Sequence, residues 1–248
     1  MNDRRIVRRA RPLLGTLVEI GATAIDGAAP QATADAVDAA FARVAALQQR
    51  LSRFVAASDV GRFNAASAGT CIDVDGDART VLGAAAELRE ASDGAFDVTL
   101  GSGARAWRLD DRGVHKFGDA VRIDLGGIAK GHAVDCAVAT LEQHGVAAGW
   151  VNAGGDLRAF GDLAVPIELR DEVAGGVRRF ATIEDGAFAT SRREAADGVA
   201  RHASVAAPRC LWADALTKVV VATANASHPL LARFGARGWL HDPRIGIA

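Results

Sequence analysis

From Leu13 to Ile20 apolar and polar positions alternate, and Leu14, Thr16, Val18 and Ile20 fall on one face of the strand that this period predicts. Turn-forming residues between Gly21 and Pro30 close it. The period then changes. Val37, Phe41, Val44, Leu47 and Leu51 recur at intervals of four, three, three and four behind Pro30, the spacing of one buried helical stripe. No period is sustained from Ser52 to Gly69, where polar and glycine breaks predict irregular chain or short helical pieces lining something. Asp77 is placed as the N-cap of a second helix carrying Val81, Leu82, Ala85 and Leu88, which stops before Asp93-Gly94 and gives way to a loop up to Gly103.

A short apolar strand over Val121 to Leu125 runs into Gly126-Gly127. Ala133, Val134, Ala137, Val138 and Leu141 then form a helical stripe that Gly145 ends. Short β-like runs from Gly149 to Thr190, parted by glycine turns, predict an antiparallel meander. A helix over Trp212 to Ala224, a short one opened by Ser227 and Pro229 and ending at Gly235, and a closing strand at Trp239-Leu240 complete the chain. Strands and helices mix without a strict βαβ rhythm, and no repeat or linker divides them. The expected architecture is α+β, one compact domain over residues 1–248 with mixed or antiparallel sheets and packed helices.

Composition narrows the function classes. With 50% hydrophobic and 24% charged residues in 248, the chain reads as a globular protein able to bury a core. A net charge of −1 with interleaved signs gives no field for nucleic acid or an anionic membrane. The run Arg4, Arg5, Arg8, Arg9 and Arg11 lacks the apolar stretch of an export signal, so residues 1–11 are expected to form a solvated basic arm. No segment approaches the roughly 20 apolar residues of a membrane span, and the expected location is cytoplasmic. Cys71, Cys136 and Cys210 are odd in number and widely spaced, which suggests buried thiols rather than a disulfide framework or a zinc site. No HxxxH, HExxH or GxSxG spacing points to a zinc or serine hydrolase.

Four segments carry candidate chemistry. In Asp124-Leu125-Gly126-Gly127-Ile128-Ala129-Lys130-Gly131, two glycines between strand and helix let backbone approach a ligand, and the helix N-terminus with Lys130 suits a phosphate. Standing alone, the same segment also reads as a tight turn with a surface lysine and a helix-internal Asp135. Asn152-Ala153-Gly154-Gly155-Asp156 brings Gly154 and Gly155 to the same ligand, or is a plain hairpin with Asp156 in its turn. In Asp93-Gly94-Ala95-Phe96-Asp97, Phe96 could stack on a planar ring and Asp97 accept from its edge, against the plainer reading of a core ring beside a capping acid. In Trp212-Ala213-Asp214-Ala215-Leu216-Thr217-Lys218, Asp214 lies in an apolar stripe and is either a cation-binding acid or a surface partner of Lys218 at i+4. Oxygen donors of this kind suit Mg²⁺.

In this order, together with Leu14-Gly15-Thr16 and Ser52-Arg53-Phe54, these segments resemble the FAD:protein FMN transferases, the ApbE-like family, over nearly the whole chain. The resemblance implies an α+β fold that binds FAD with Mg²⁺ and moves the FMN portion, through its phosphate, to a threonine hydroxyl of a partner flavoprotein, releasing AMP. Some relatives only cleave FAD to FMN and AMP. It implies that Leu14, Phe54, Ala95, Phe96, Asp97, Asp124 and Lys130 line the FAD site, and that the carbonyl of Gly127 joins Asp214 as a metal ligand. His202 is the nearest available base for the acceptor hydroxyl, and Asp214 and Lys130 complete the expected catalytic set.

Two departures matter. The family's His-x-Ile-Asp-Pro-x-Thr-Gly stretch is missing where Arg201-His202-Ala203-Ser204-Val205-Ala206 runs almost directly into Pro208, and the similar His241-Asp242-Pro243-Arg244 reads as coincidence. The family's metal-ligating threonine falls on Lys218, with Thr217 one place earlier and about 100° around the helix. If Thr217 serves as ligand, a shifted Mg²⁺ site survives. If Lys218 points inward, its ammonium replaces the metal, and a non-catalytic FAD-binding or flavin-delivery module becomes the alternative to a transferase.

Overall fold

The stripe of Val37, Phe41, Val44, Leu47 and Leu51 becomes the buried face of helix α1 (Pro30–Leu51), with Pro30 at its first turn. The computed structural model describes residues 6–170, 175–194 and 200–241.

The strand expected at Leu13 to Ile20 is two strands. β1 (Ile6–Leu13) and β2 (Thr16–Thr23) form a hairpin whose two-residue turn is Leu14-Gly15, both at positive φ of 55° and 72°. Residues 6–11 of the expected basic arm therefore lie in an edge strand, where Arg8 pairs with Glu19 at 2.5 Å and Arg9 and Arg11 pair with Asp38 at 2.6 and 2.7 Å. Charge along an edge strand discourages pairing with another chain.

The main sheet has seven strands in the order β1-β2-β6-β7-β10-β11-β12, every pairing antiparallel. Its further members are β6 (Gly149–Ala153), β7 (Asp156–Phe160), β10 (Gly186–Glu194), β11 (Ala200–Ala207) and β12 (Arg237–His241). On one face Val18, Ile20, Val151, Ala153, Ala187, Ala189, Ala203 and Val205 are buried with the apolar faces of α1, α4 (Ala129–Gln143) and α5 (Cys210–Thr223). Alanine there lets helices lie close to the sheet. The opposite face holds a smaller core of Leu157, Ala159 and Phe188, covered by the hairpin β8 (Val165–Arg170) and β9 (Val177–Ile183) with Ile167 and Phe180. Phe180 meets Trp239 edge-on, with ring centroids 5.4 Å apart.

The remaining elements gather in a three-stranded sheet, β3 (Cys71–Ile72), β5 (Gly113–Lys116) and β4 (Trp107–Asp110), beside α2 (Asp59–Ala65) and α3 (Gly76–Ala91). The N-cap of α3 is Asp75, whose Oδ1 accepts from Ala78 N–H at 2.9 Å, rather than the expected Asp77. Val121 to Leu125 keeps its buried alternation but joins no sheet. The amide of Asn64 supplies what a neighbouring strand would, donating to Ile123 O at 2.9 Å and accepting from Ile123 N at 2.7 Å, while Asp124 N donates to Val98 O at 2.8 Å. The short helix expected before Gly235 is α6 (Leu230–Arg233). No helix among the described residues is long and apolar enough to cross a membrane.

Candidate functional site

The site grows from the Gly126-Gly127 turn, which feeds α4 from the extended segment ending at Leu125. Asp124 Oδ1 accepts from Gly126 N at 2.9 Å and fixes the turn, while Arg53 pairs with the same carboxylate at 3.2 Å. The N-terminus of α4 carries no side-chain cap of its own. It is capped across space: Asp214 Oδ2, on α5, accepts from Gly131 N–H at 3.1 Å. The reverse also holds. Asp135, on α4, accepts from Cys210 N at 2.9 Å and Leu211 N at 3.0 Å, the first N–H groups of α5. Each helix thus places a carboxylate on the positive end of the other. Gly131 permits this approach, since a Cβ there would lie 2.3 Å from Cys210 O and 2.9 Å from Asp214 Cβ.

Two ion pairs sit on this junction. Lys218 donates to Asp214 Oδ1 and, at 3.0 Å, to the carbonyl of Asp214, and Lys130 pairs with Asp156, the residue after the Gly154-Gly155 turn. Asp214 and Asp156 have side chains 0% and 1% exposed, whereas Lys218 and Lys130 keep 28% and 31% of theirs exposed, so the acids are interior and the ammonium groups open onto space. Burial opposes charge on Lys130, but Asp214 and Asp156 outweigh it and raise its pKa. Asp156 is pushed up to about 6, first by burial and then by the negative charge of Asp214, against the pull of Lys130 and Lys218.

This sets a pH dependence of unusual sign. Between about pH 4, where an unfolded aspartate titrates, and its native value of about 6, native Asp156 holds a proton that the unfolded chain has lost. Its contribution therefore weakens as pH rises through that window. Urea denaturation across it should show the stability of the wild type falling, relative to that of Asp156→Asn, as pH rises. An unchanged slope in the variant contradicts the assignment.

Two cavities open beside the junction and share Asp124 as a wall. The larger, about 410 Å³, is lined by Leu14, Leu51, Arg53, Phe54, Gly126 and Lys130 among others. The smaller, about 240 Å³, takes in Ala95, Phe96, Asp97, Gly127, Ser191 and Lys218. Most of the residues singled out in the sequence thus converge. Leu14 sits at positive φ in the hairpin turn, its N–H donating to Gln48 Oε1 at 2.5 Å. Phe54 is 83% exposed, with the Arg53 guanidinium carbon 4.4 Å from its ring centroid. Phe96 is buried, and Asp97 is held locally by the N–H and hydroxyl of Thr99 at 2.9 and 2.8 Å.

Other expected residues stand apart. Gly154 and Gly155 make the tight turn between β6 and β7 and line neither cavity; a Cβ on Gly154 would lie 2.3 Å from Thr16 Oγ1. Their contribution is to present Asp156. His202 lines neither cavity. Along β11, Ala203 and Val205 face the helices, so His202 shares the opposite face with Ala206, the β8–β9 side, away from Asp214. It stands in register with Arg192 and with His241, so the His241 motif adjoins it in space, although Asp242, Pro243 and Arg244 lie outside the described residues. Ser191 and its neighbour Arg192 on β10 line the smaller cavity instead and carried no sequence signal. Asp156 was visible as the acid closing the double-glycine motif.

The expected magnesium ligands do not form an oxygen cage. Thr217 is fully buried and its hydroxyl donates to Asp214 O at 2.6 Å, lining neither cavity. Every oxygen of Asp214 already faces a donor, from Lys218, Gly131 or Thr217. Gly127 packs beneath Lys218, its ideal Cβ position lying 3.5 Å from Lys218 Cε and 3.6 Å from the Phe96 ring. This donor set does not fit Mg²⁺: the ion keeps several waters but needs at least a free carboxylate oxygen, and the Lys218 ammonium and the Gly131 N–H already hold both oxygens of Asp214. A second cluster, Asp77, His132 and Cys136, lines neither cavity and has ligand atoms within 4.8 Å of one another. Arg43 fills it, donating to Asp77 at 2.6 Å and approaching Cys136 Sγ at 3.7 Å.

The same architecture occurs in solved proteins. A structure entitled flavin transferase ApbE from Vibrio cholerae is 21% identical, covering 88% of this chain and 87% of its own with a TM-score of 0.74. The ApbE protein of Thermotoga maritima gives 23% identity, 95% and 94% coverage and a TM-score of 0.80. The flavinyl transferase ApbE of Pseudomonas stutzeri gives 22%, 96% and 91%, and 0.77. At these identities the likeness establishes the fold. No curated protein sequence matches the chain. The sequence itself matches the description "ApbE family" over residues 14–116 and 108–236, nearly all of the described length. The chain therefore belongs to the ApbE family.

Proposed function

We propose that this chain is a flavin transferase that binds FAD and moves its FMN portion to a threonine hydroxyl of a partner flavoprotein, releasing AMP. The observation that carries the reading is the meeting of two cavities at Asp124 and the Gly126-Gly127 turn, with Lys130 in one wall and Lys218 in the other. An elongated ligand with a ring system at each end and two phosphates between them matches that shape. The double glycine lets backbone approach the phosphates, and two ammonium groups offset their charge. Leu14, Leu51 and Phe54 offer apolar surface to one ring, and Ala95 and Phe96 to the other.

In the reaction, the threonine Oγ forms a bond to the phosphorus on the FMN side while the anhydride P–O bond breaks. AMP leaves with the electron pair of that bond, and the hydroxyl proton is released to solvent. Lys130 and Lys218 stabilise charge on the phosphate oxygens in the transition state, where such groups act most strongly. His202 has no part in this reading. No magnesium-dependent step is included, since the oxygens of Asp214 are taken up by the chain's own donors.

AMP accounting tests the proposal. With FAD and a threonine-bearing acceptor, transfer yields AMP and acceptor-bound flavin in equal amounts. AMP with free FMN instead identifies an FAD hydrolase, and bound FAD without AMP identifies a flavin-delivery module. Phe54→Ala should raise the KM for FAD by about fivefold, since an exposed aromatic stacked by Arg53 contributes about 1 kcal/mol to ring binding. It should leave thermal stability unchanged; an unaltered KM places the ring elsewhere.

A further inference from the structure

Lys130, Lys218, Asp156 and Asp214 form a charge-balanced quartet at the α4–α5 junction, two ammonium groups on two interior carboxylates. Lys130 feels both acids and Asp156 feels both lysines, so the four act as one electrostatic unit. Each cavity receives one ammonium, Lys130 in the larger and Lys218 in the smaller. Thr217, which would have to supply a hydroxyl ligand, is buried and bonded to Asp214 O. A divalent ion entering here would have to displace Lys218 from Asp214 and then stand beside two like charges in a partly desolvated site.

We propose that Lys218 is the resident cation of the site, and that this chain binds the phosphates of its ligand without a divalent metal. The ammonium of Lys218 bridges Asp214 to a phosphate oxygen on one side while Lys130 meets the phosphates from the other. Asp214 acts here as a positioning residue, fixing Lys218 and the N-terminus of α4 together. The proposal rests on the reading of the two cavities as an FAD site.

The test is FAD affinity, followed by flavin fluorescence, in excess EDTA and in excess Mg²⁺. For the wild type the two affinities should agree within about twofold, because nothing in the phosphate site depends on the metal. Lys218→Met should bind FAD about tenfold or more weakly in EDTA, and Mg²⁺ should recover much of the loss by taking up the vacated Asp214 carboxylate. Lys218→Arg keeps the charge and should stay insensitive to chelator. A wild-type affinity that falls about tenfold in EDTA overturns the proposal, whether or not Lys218→Met folds. So does wild-type binding strength in Lys218→Met with EDTA present. A separate arm uses Mg²⁺ alone: a rise in wild-type melting temperature would show a metal site and overturn the proposal even without FAD. Failure of the wild type to bind FAD in either solution, with no Mg²⁺ response, overturns the flavin reading and with it the assignment of Lys218 to phosphate.

Discussion

Asp214→Ala is expected to remove flavin transfer almost completely, by about 10²-fold or more, and to lower stability by about 2–4 kcal/mol. The side chain is wholly buried and serves two groups at once, the Lys218 ammonium and the Gly131 N–H at 3.1 Å. Truncation leaves the Gly131 N–H without its acceptor and Lys218 with the Asp214 carbonyl alone. Lys218 is partly open to solvent, which keeps the cost of losing its partner below that of a fully interior pair. Asp214→Asn separates the two contributions. Its amide oxygen can still accept from Gly131, so most of the stability should remain, while Lys218 loses the charge that positions it and transfer still fails. Undiminished turnover in a folded Asp214→Asn would remove this carboxylate from the mechanism.

The second large effect concerns a glycine without chemistry of its own. Gly131 lies in the first turn of α4, a place where alanine would ordinarily stabilise a helix by up to about 1 kcal/mol. Here Gly131→Ala should destabilise by about 3 kcal/mol, because the new Cβ would lie 2.3 Å from the carbonyl oxygen of Cys210 and the helices would have to separate. Separation would also break the reciprocal caps that Asp135 and Asp214 provide. The melting temperature should fall by about 6–12 °C. Gly83→Ala, in α3, is the matched control: its nearest neighbour is a leucine methyl at 3.8 Å, so it should be neutral or slightly stabilising. Equal melting temperatures for the two variants contradict the close-contact account.

What the sequence made legible follows physical range. The α1 stripe was readable because five large apolar residues repeat within one helix, and the antiparallel strands between Gly149 and Thr190 because glycine turns punctuate them, although β8 and β9 leave the main sheet as a separate hairpin instead of continuing one meander. β1 was hidden because an edge strand tolerates arginine and Pro12, residues that otherwise signal an arm. β11 was hidden because its helix-facing positions Ala203 and Ala207 are small where α5 packs, which removes the bulky β-branched signal. Val121 to Leu125 has strand periodicity, but Asn64, 59 residues from Ile123, takes the place of a neighbouring strand.

The site divides in the same way. Lys130, Asp124 and Asp214 were visible because glycine turns and a carboxylate in an apolar stripe are local signals. Their partners are not local: Lys130 meets Asp156 across 26 positions and Gly131 meets Asp214 across 83. His202 illustrates the opposite failure. Its place in the motif order was legible, but strand parity turns its side chain to the β8–β9 face, and only the packing of α5 on β10 and β11 reveals which parity faces the helices.

Intact-mass spectrometry of a threonine-containing acceptor protein, incubated with this chain and FAD in the presence of EDTA, reads flavin transfer and its need for metal together. The acceptor threonine should gain one FMN phosphoryl unit, undiminished by the chelator and absent with Asp214→Asn. An acceptor that stays at its starting mass both with EDTA and with Mg²⁺, while FAD is bound, would contradict the transferase reading.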